Sequence, residues 1–597
     1  MAQRLDSTNF LSHFQLSFPM IDIRSGVPGA TLTSEDAREN LKAMSVNLRK
    51  RRKDLQLQKS RFDESPEKLA KKARDNRKMT DMEALEAILA FWRSNPREQD
   101  FNSLMENAIH GIKTFRRALT EYQPEKIIDN IVRGGLLDKI FFLLDLPFYY
   151  SKLVDLTKDE RVGTIQFEAA WCLTNIAATH QTIAIMEHKN SLDVLGRAIY
   201  QSKFANVREQ ALWCVANMAG FDGKKTTHFR KQILGNNSIM EGMFINIKNP
   251  ANPSLLCTSI WALGNTIQDR SPPKLEQIQV LLDAVTDVYG EVYKKSDLAA
   301  DERDKIFEEV FSALRKGMWF NTEVIEHVGK SATFIPHMMG TLKQARRSGN
   351  LAVMVRAMRC IEIFLSKGSL SIQDALIAND FLGEATHLLR EQKNDHLLIE
   401  VCSALGNYLN GADSQRFKSF RARGCLASVV EVAHASSWYV KKEAYRVLFK
   451  FLIFADHNGR IHFFSTGCAI QVLCESLEST KNLDKSLCLD ALRAVESLLQ
   501  DDREHKGELG VCRRLQEFHG FSTIERMQTL SVTDIQEMAA FIVDEYFAHD
   551  ENEAEDYAPT TDIAGNSVGS DLKLQSPAPL APRDSVSPLE TRSLFQG

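Results

Sequence analysis

FEAAWCLTNIA (167–177), VREQALWCVANMAG (207–220) and SIWALGNTIQDR (259–270) carry one phrase three times. Each places an asparagine four residues after a tryptophan: Trp171 and Asn175, Trp213 and Asn217, Trp261 and Asn265. The copies lie 42 and 48 residues apart. Positions i and i+4 share one face of a helix, so each copy presents an indole beside an amide. A period of roughly 40–47 residues belongs to arrays of stacked helical repeats. Such units cannot bury their apolar faces alone, and stacking brings equivalent residues into line. The spacing predicts a ladder of indoles and amides exposed together along one groove.

Outward from these phrases, residues 101–547 read as helical almost throughout. Turns fall at RGGLLD, NPANP, SKGS and LNGAD, and sustained β-alternation is absent. At this period the span holds about ten repeats. Residues 1–34, with Gly26, Pro28 and Gly29, read as a flexible tail. Residues 35–78 form a basic segment: Ser34 stands as a helix cap, and Arg49, Lys50, Arg51, Arg52, Lys53, Lys59 and Arg61 cluster within it. A linker covers 79–100. Past 548, an acidic run (Asp550, Glu551, Glu553, Glu555, Asp556) gives way to a Ser/Pro-rich tail to Gly597, too poor in large apolar residues to fold. Ser576-Pro577 and Ser587-Pro588 are sites open to proline-directed kinases.

Composition narrows the function. The 74 basic and 78 acidic residues nearly cancel, which argues against a basic, nucleic-acid-binding body. Ten scattered cysteines without a CxxC pair point away from a disulfide framework or zinc site and toward a reducing compartment. Met1–Met20 lacks the basic region and apolar stretch of a signal peptide, and no apolar run reaches membrane-spanning length. P-loop, HExxH and nucleophile-elbow motifs are absent. The expectation is a binding protein with no catalytic residues, cofactor or metal.

A groove of Trp and Asn suits an extended basic peptide. Indole faces attract cations and pack against lysine methylenes. Asparagine amides donate and accept, so they can hold a peptide backbone. Selectivity for lysine needs carboxylates nearby. Glu209 precedes Trp213 by one helical turn, Asp222 follows Asn217 in the turn, and Asp304 and Glu308 are spaced i and i+4 in the next repeat.

At these residues the chain resembles the importin alpha family, over roughly 36–60 and 120–547. QPEKIIDNIVRGGLLDKI (123–140) with IQFEAAWCLTNIA (165–177) resembles that family's first armadillo repeat, and VREQALWCVANMAG its second. GFSTIERMQTLSVTDIQEMAAFIVDEYF (520–547) resembles its last, and VNLRKRRKDLQLQK (46–59) the core of its importin-beta-binding segment. The resemblance implies an all-α armadillo-repeat, right-handed superhelical solenoid with flexible tails. It implies a major cargo site of Trp171, Asn175, Thr182, Glu209, Trp213, Asn217, Asp222, Trp261, Asn265, Asp304 and Glu308. Here Phe221 intervenes before Asp222, and Phe311 stands where the family has a tryptophan.

A minor site is implied at Arg359, Ser403, Asn407, Glu443, Arg446 and Lys450, where Ser403, Arg446 and Lys450 depart from the Trp/Asn pattern. That replacement predicts a weak or altered second site. Importin beta is expected to take Leu48, Arg49, Lys50, Arg51, Arg52, Lys53, Lys59 and Arg61, an incomplete segment whose competition with cargo is then only partial. Implied partners are importin beta, cargo bearing nuclear localisation signals, and a Cse1-type exportin with Ran-GTP. Nucleoporins are a further class, with no direct nucleic-acid or membrane partner. The protein would shuttle between cytoplasm and nucleus. The alternatives are an armadillo scaffold of the catenin type, whose groove would prefer acidic partners, and an adaptor dedicated to one cargo.

Overall fold

The computed structural model describes residues 101–547 apart from 122–127, 130–131, 133–134, 150–158, 222, 224, 296–297 and 481–483. The tails, the basic segment with its importin-beta-binding expectation, and Asp222 lie outside the described residues. Ten helices form a continuous ladder in which each packs on the next: α1 (Phe101–Glu121), α2 (Glu160–Ala177), α3 (Ala205–Gly220), α4 (Pro253–Ile267), α5 (Ala300–Met318), α6 (Leu351–Lys367), α7 (Asp395–Tyr408), α8 (Trp438–Phe454), α9 (Lys485–Glu504) and α10 (Thr533–Tyr546). A second ladder packs behind it, from Leu136–Leu144 through Ser191–Gln201, Asn237–Lys248, Leu275–Lys294 and Phe334–Ser348 onward to Gly520–Met527. Short helices such as Thr226–Leu234 and Thr322–Gly329 link one unit to the next. The fold is an all-α armadillo solenoid.

Local chemistry sets the helix starts. The side chains of Asn252, Asn350, Asn394 and Asp484 each accept a bond from the backbone N–H three residues on, opening α4, α6, α7 and α9. Pro253 at the first position of α4 has no N–H to leave unsatisfied. The core between the ladders is continuous. At its middle, the ring of the fully buried Tyr289 meets Phe307, Phe311 and Phe334 at 5.3–5.5 Å, while its hydroxyl bonds the Thr341 hydroxyl at 2.8 Å. Most of the cysteines are buried as small apolar residues, and burial pushes the Cys360 and Cys474 thiols up to about 12. No helix among the described residues is long and apolar enough to cross a membrane.

Near the end of the array, His457 and Arg460 both reach the buried Asp501, at 2.7 and 2.8 Å, and His505 stacks on His457 with centroids 3.5 Å apart and planes at 9°. His457, Asp501 and His505 match a metal site in the spacing of their ligand atoms alone. Two parallel rings at that separation cannot both hold one ion in their planes, and Arg460 already engages the carboxylate. The cluster is a proton-linked clasp. Its bond to Asp501, with Glu508 also near, raises the His457 pKa above the ordinary value. Burial alone would raise the Asp501 carboxyl, but His457 and Arg460 outweigh it and hold it below the usual range.

Two outcomes follow from this packing. Tyr289→Ala removes the ring and orphans the Thr341 hydroxyl; it should cost about 3–5 kcal/mol, read by urea denaturation, with hydrogen-exchange protection lost first in the helices around it. The His457 clasp stabilises fully between the ordinary carboxylate pKa and the free-histidine pKa; it weakens as pH rises through the elevated His457 value and as pH falls through the depressed Asp501 value. His457→Gln should therefore lower the melting temperature more at pH 6 than at pH 8.5.

Candidate peptide-binding groove

Register along the first ladder is fixed by side chain-to-backbone bonds between successive rungs. Asn217 Nδ2 donates to Thr174 O at 3.2 Å, and Asn265 Nδ2 donates to Ala216 O at 2.8 Å. Each acceptor sits one residue before the asparagine of the preceding rung. Lys450 repeats the geometry, its Nζ donating to Gly406 O at 3.1 Å, one residue before Asn407. Asn175 heads the series, and its buried Nδ2 has no acceptor among the described residues.

The same register identifies the rung between Asn265 and the second half of the groove. A Cβ on Gly406 would meet Val447 and Lys450 Nζ, both at 3.7 Å, and one on Gly264 would meet Ala313 Cα at 2.8 Å and Lys316 Cδ at 3.5 Å. Ala313 therefore holds the place of Val447, and Lys316 that of Lys450. Ser312 then occupies the tryptophan position of α5. Phe311, expected there, is fully buried against Tyr289. One residue rotates a side chain by about 100° on a helix, which carries Phe311 from the groove into the core.

The indoles do line up, but they are not the open row that the spacing predicts. Trp171 and Trp261 are only 6% and 5% exposed, and Trp213 is half-buried. Trp213 and Trp261 pack edge to face at 5.1 Å. Trp171 meets the edge of Phe167 at 5.5 Å and is covered by the Arg116 guanidinium, 4.3 Å from its centroid. Arg116 is also ion-paired with Glu168 at 2.5 Å, both side chains buried. The expectation of joint exposure fails because large rings on adjacent rungs fill the space between helices, and because α1 supplies a cation of its own to the first indole.

The carboxylates have partners too. Glu209 accepts from the Ser254 and Thr258 hydroxyls at 2.8 and 3.3 Å. Glu308, one turn before Ser312 as Glu209 is before Trp213, lies 3.4 Å from Arg356. Asp304 accepts from Asn350 Nδ2 at 2.7 Å. Thr182 is fully buried, and its hydroxyl donates to Ala177 O at 2.5 Å. The Thr226 hydroxyl makes the equivalent bond to Phe221 O one repeat later, at 2.8 Å.

In the second half of the groove, cations of the chain occupy the groups that would grip a basic ligand. Arg446 donates to Glu443 Oε1 at 2.5 Å and lies 3.8 Å from Asp484, which Lys442 approaches at 2.6 Å. Arg359 bonds Glu400 at 2.7 Å, and the Ser403 hydroxyl donates to Glu362 at 2.8 Å. Burial and the nearby Arg446 lower the Lys450 pKa. In the first half, Lys316 Nζ donates to Asn265 Oδ1. Arg116 and Lys316 escape a reading of the sequence because no local motif marks them. Each joins the site only through a rung 52 or 51 residues away.

The ladder and its groove place the chain among armadillo-repeat proteins. No family model matches it. It is similar to importin subunit alpha-8 of Arabidopsis thaliana, 23% identical over 391 residues that span 65% of this chain and 82% of that protein. It is also similar to importin subunit alpha-1b of Oryza sativa subsp. japonica, 23% identical across 75% of this chain and 77% of that one. Importin subunit alpha-3 of Arabidopsis thaliana is 23% identical across 90% and 95%. Among solved structures, the crystal structure of an engineered protein superposes with a TM-score of 0.59 at 19% identity, over 78% of this chain and 98% of that one. The curated relatives it resembles are importin alpha subunits, at about 23% identity over much of the chain.

The Arg116–Glu168 pair yields a test. Arg116→Ala leaves a buried carboxylate without its cation and should cost about 3–5 kcal/mol in urea denaturation. Arg116→Met with Glu168→Leu should recover most of that loss, since neither charge then remains buried.

Proposed function

We propose that the protein is a nuclear import adaptor, not an enzyme, whose groove between α2 and α5 holds a lysine-rich localisation signal. The observation that carries this reading is the row of Trp213 and Trp261 at 5.1 Å with Glu209 one turn away, beside the buried, unpartnered Asn175 Nδ2. A lysine stem lying along the half-buried Trp213 would gain cation–aromatic attraction. Its backbone carbonyl would satisfy the Asn175 donor.

On this reading the basic segment at 35–78 links the cargo to importin beta and competes for the groove when tethered. A tether acts through effective concentration, of order mM for short linkers. Capture of that segment by importin beta would then free the groove, since one segment serves two ligands. Ran-GTP and a Cse1-type exportin would complete the cycle, and the protein would move between cytoplasm and nucleus.

A second reading, an adaptor narrowed to few cargoes, is favoured by Arg446. Its guanidinium is bonded to Glu443, so an incoming lysine would have to displace a cation already in place. A signal with two basic clusters should then gain little over a signal with one.

Fluorescence anisotropy with a labelled lysine-rich peptide tests the main reading. Trp213→Ala should weaken binding several-fold, as expected from a contact worth about 0.5–2 kcal/mol; no binding by the unaltered protein, or tighter binding of an acidic peptide, would sink it. Arg446→Trp with Lys450→Asn should create an affinity gain for the two-cluster signal. Deleting residues 1–78 should raise peptide affinity if the tethered segment competes, and an unchanged value would remove that part of the scheme.

A further inference from the structure

Between the aromatic half of the groove and its ion-paired half lies a cation that no carboxylate among the described residues bonds directly, although Glu400 and Glu362 are near. Arg315, on α5 beside Lys316, has its guanidinium 5.0 Å from the Trp319 ring centroid. Its Nε is shielded from solvent and has no acceptor, and Arg315 makes no ion pair among the described residues. The neighbouring Arg359 does not help, since it carries the same sign and is already bonded to Glu400 at 2.7 Å. Lys367, exposed at the end of α6, adds a third positive charge: its Nζ lies 5.0 Å from the same Trp319 ring and donates to Trp319 O at 2.6 Å. Phe320, next to Trp319, is 43% exposed. Burial, followed by the like charge of Arg359, pushes the Arg315 pKa below the ordinary value against the smaller opposing pull of the Glu400 and Glu362 carboxylates.

A partly buried guanidinium that no carboxylate bonds directly is costly, since Glu400 and Glu362 are bonded to Arg359 and Ser403, and it favours a ligand that brings an anion within reach. Arg also presents a planar fork matched to carboxylate and phosphate oxygens. We infer that the groove between α5 and α6 takes an anionic side chain, carboxylate or phosphate monoester, belonging to the same peptide whose lysines lie over Trp213 and Trp261. The inference rests on the cargo reading above and specifies the cargo: a lysine cluster with an acidic or phosphorylated flank. Spacing follows from the fold. Helices pack roughly 8–10 Å apart, and an extended chain advances about 3.3 Å per residue. The anion therefore belongs about three residues beyond the lysine that reaches Trp261.

The test uses the full chain and four labelled peptides sharing one lysine cluster. The four carry Ser, phosphoserine, Asp-Asp or Asn-Asn as the flank, and each is made in two versions, with the flank before or after the cluster. A fifth peptide carries phosphoserine and no lysine. Phosphoserine or Asp-Asp should tighten binding roughly fivefold over the neutral flanks, the scale of a partly exposed charge pair, and the gain should shrink in high salt. Lys367→Glu, an exposed change, and Arg315→Gln should each remove the gain while leaving the affinity for the neutral-flank peptides within twofold. A gain from phosphoserine alone would assign the pocket to phosphate, and an equal gain from both to any anion.

No gain from either anionic flank, or a gain that survives both substitutions, overturns the inference. The cargo reading fails separately, if the neutral-flank lysine peptides do not bind. In that case the lysine-free phosphopeptide decides: binding that Arg315→Gln and Lys367→Glu abolish keeps the anion site, and no binding ends it.

Discussion

At three junctions of the ladder a polar side chain reaches back to a backbone carbonyl of the preceding rung, and that bond fixes which residues line the groove there. Asn217 and Asn265 make it with an amide, Lys450 with an ammonium. A carbonyl facing the next helix away from water needs a donor. The donor in turn fixes which residue of the next helix faces outward four positions earlier. This is why Ser312 and not Phe311 lies in line with Trp261: the register runs through Lys316, the donor side chain closest to Gly264. The packing requirement sets the line of groove positions, and the residues on that line set the chemistry.

The two halves of the line then diverge. In the first, three indoles and three amides follow one another, with Glu209 and Glu308 alongside. In the second, Ser403 and Arg446 stand at the tryptophan positions with Arg359 nearby, and carboxylates are bonded to them or to neighbouring cations. An exposed ion pair contributes little to stability. It does change what a ligand must do, since a lysine arriving at Glu443 meets Arg446 already in place. Arg116 over Trp171 applies the same logic at the other end. The chain carries internal cations at both edges of the aromatic stretch, Arg116 over Trp171 and Lys316 on Asn265, and leaves Trp213 the most open of the three indoles.

Much of this is legible in the sequence. The 42- and 48-residue spacing marks the repeat, and the Trp-x-x-x-Asn phrase marks the rung face. Lys450 bonds Gly406 O as the asparagines bond their carbonyls in earlier rungs, which sets Arg446 and Lys450 in line with Ser403 and Asn407. Depth is what the sequence does not carry. Periodicity reports which face a side chain occupies, not how far a neighbouring rung covers it, so Trp171 and Trp261 look open in the sequence and are buried in the fold. Groups that act across rungs are equally hidden. Arg116 lies on a helix without the phrase, and Lys316 is adjacent to Arg315 in a stretch, SALRKGM, that reads as an ordinary amphipathic surface. Phe311 is misplaced by the sequence pattern because α5 lacks the phrase, and an aromatic residue near the right spacing fills the gap.

A register that tolerates Asn or Lys at its bonding position explains how the fold and the groove chemistry can change at different rates. The backbone carbonyl asks only for a donor of sufficient reach. An asparagine that donates with Nδ2 still has Oδ1 to offer a ligand, as Asn265 offers its own to Lys316. A lysine satisfies the carbonyl with one of three equivalent donors and has no acceptor to offer. Exchanging Asn for Lys therefore preserves packing while removing half of the backbone-binding capacity of that rung and adding a charge. Lys450 holds such a place, and Lys316 stands at the equivalent position of α5 with its ammonium on Asn265 Oδ1. The stretch between them holds Arg315, Arg359 and Lys367 together with the carboxylates of Glu362 and Glu400, which Ser403 and Arg359 occupy.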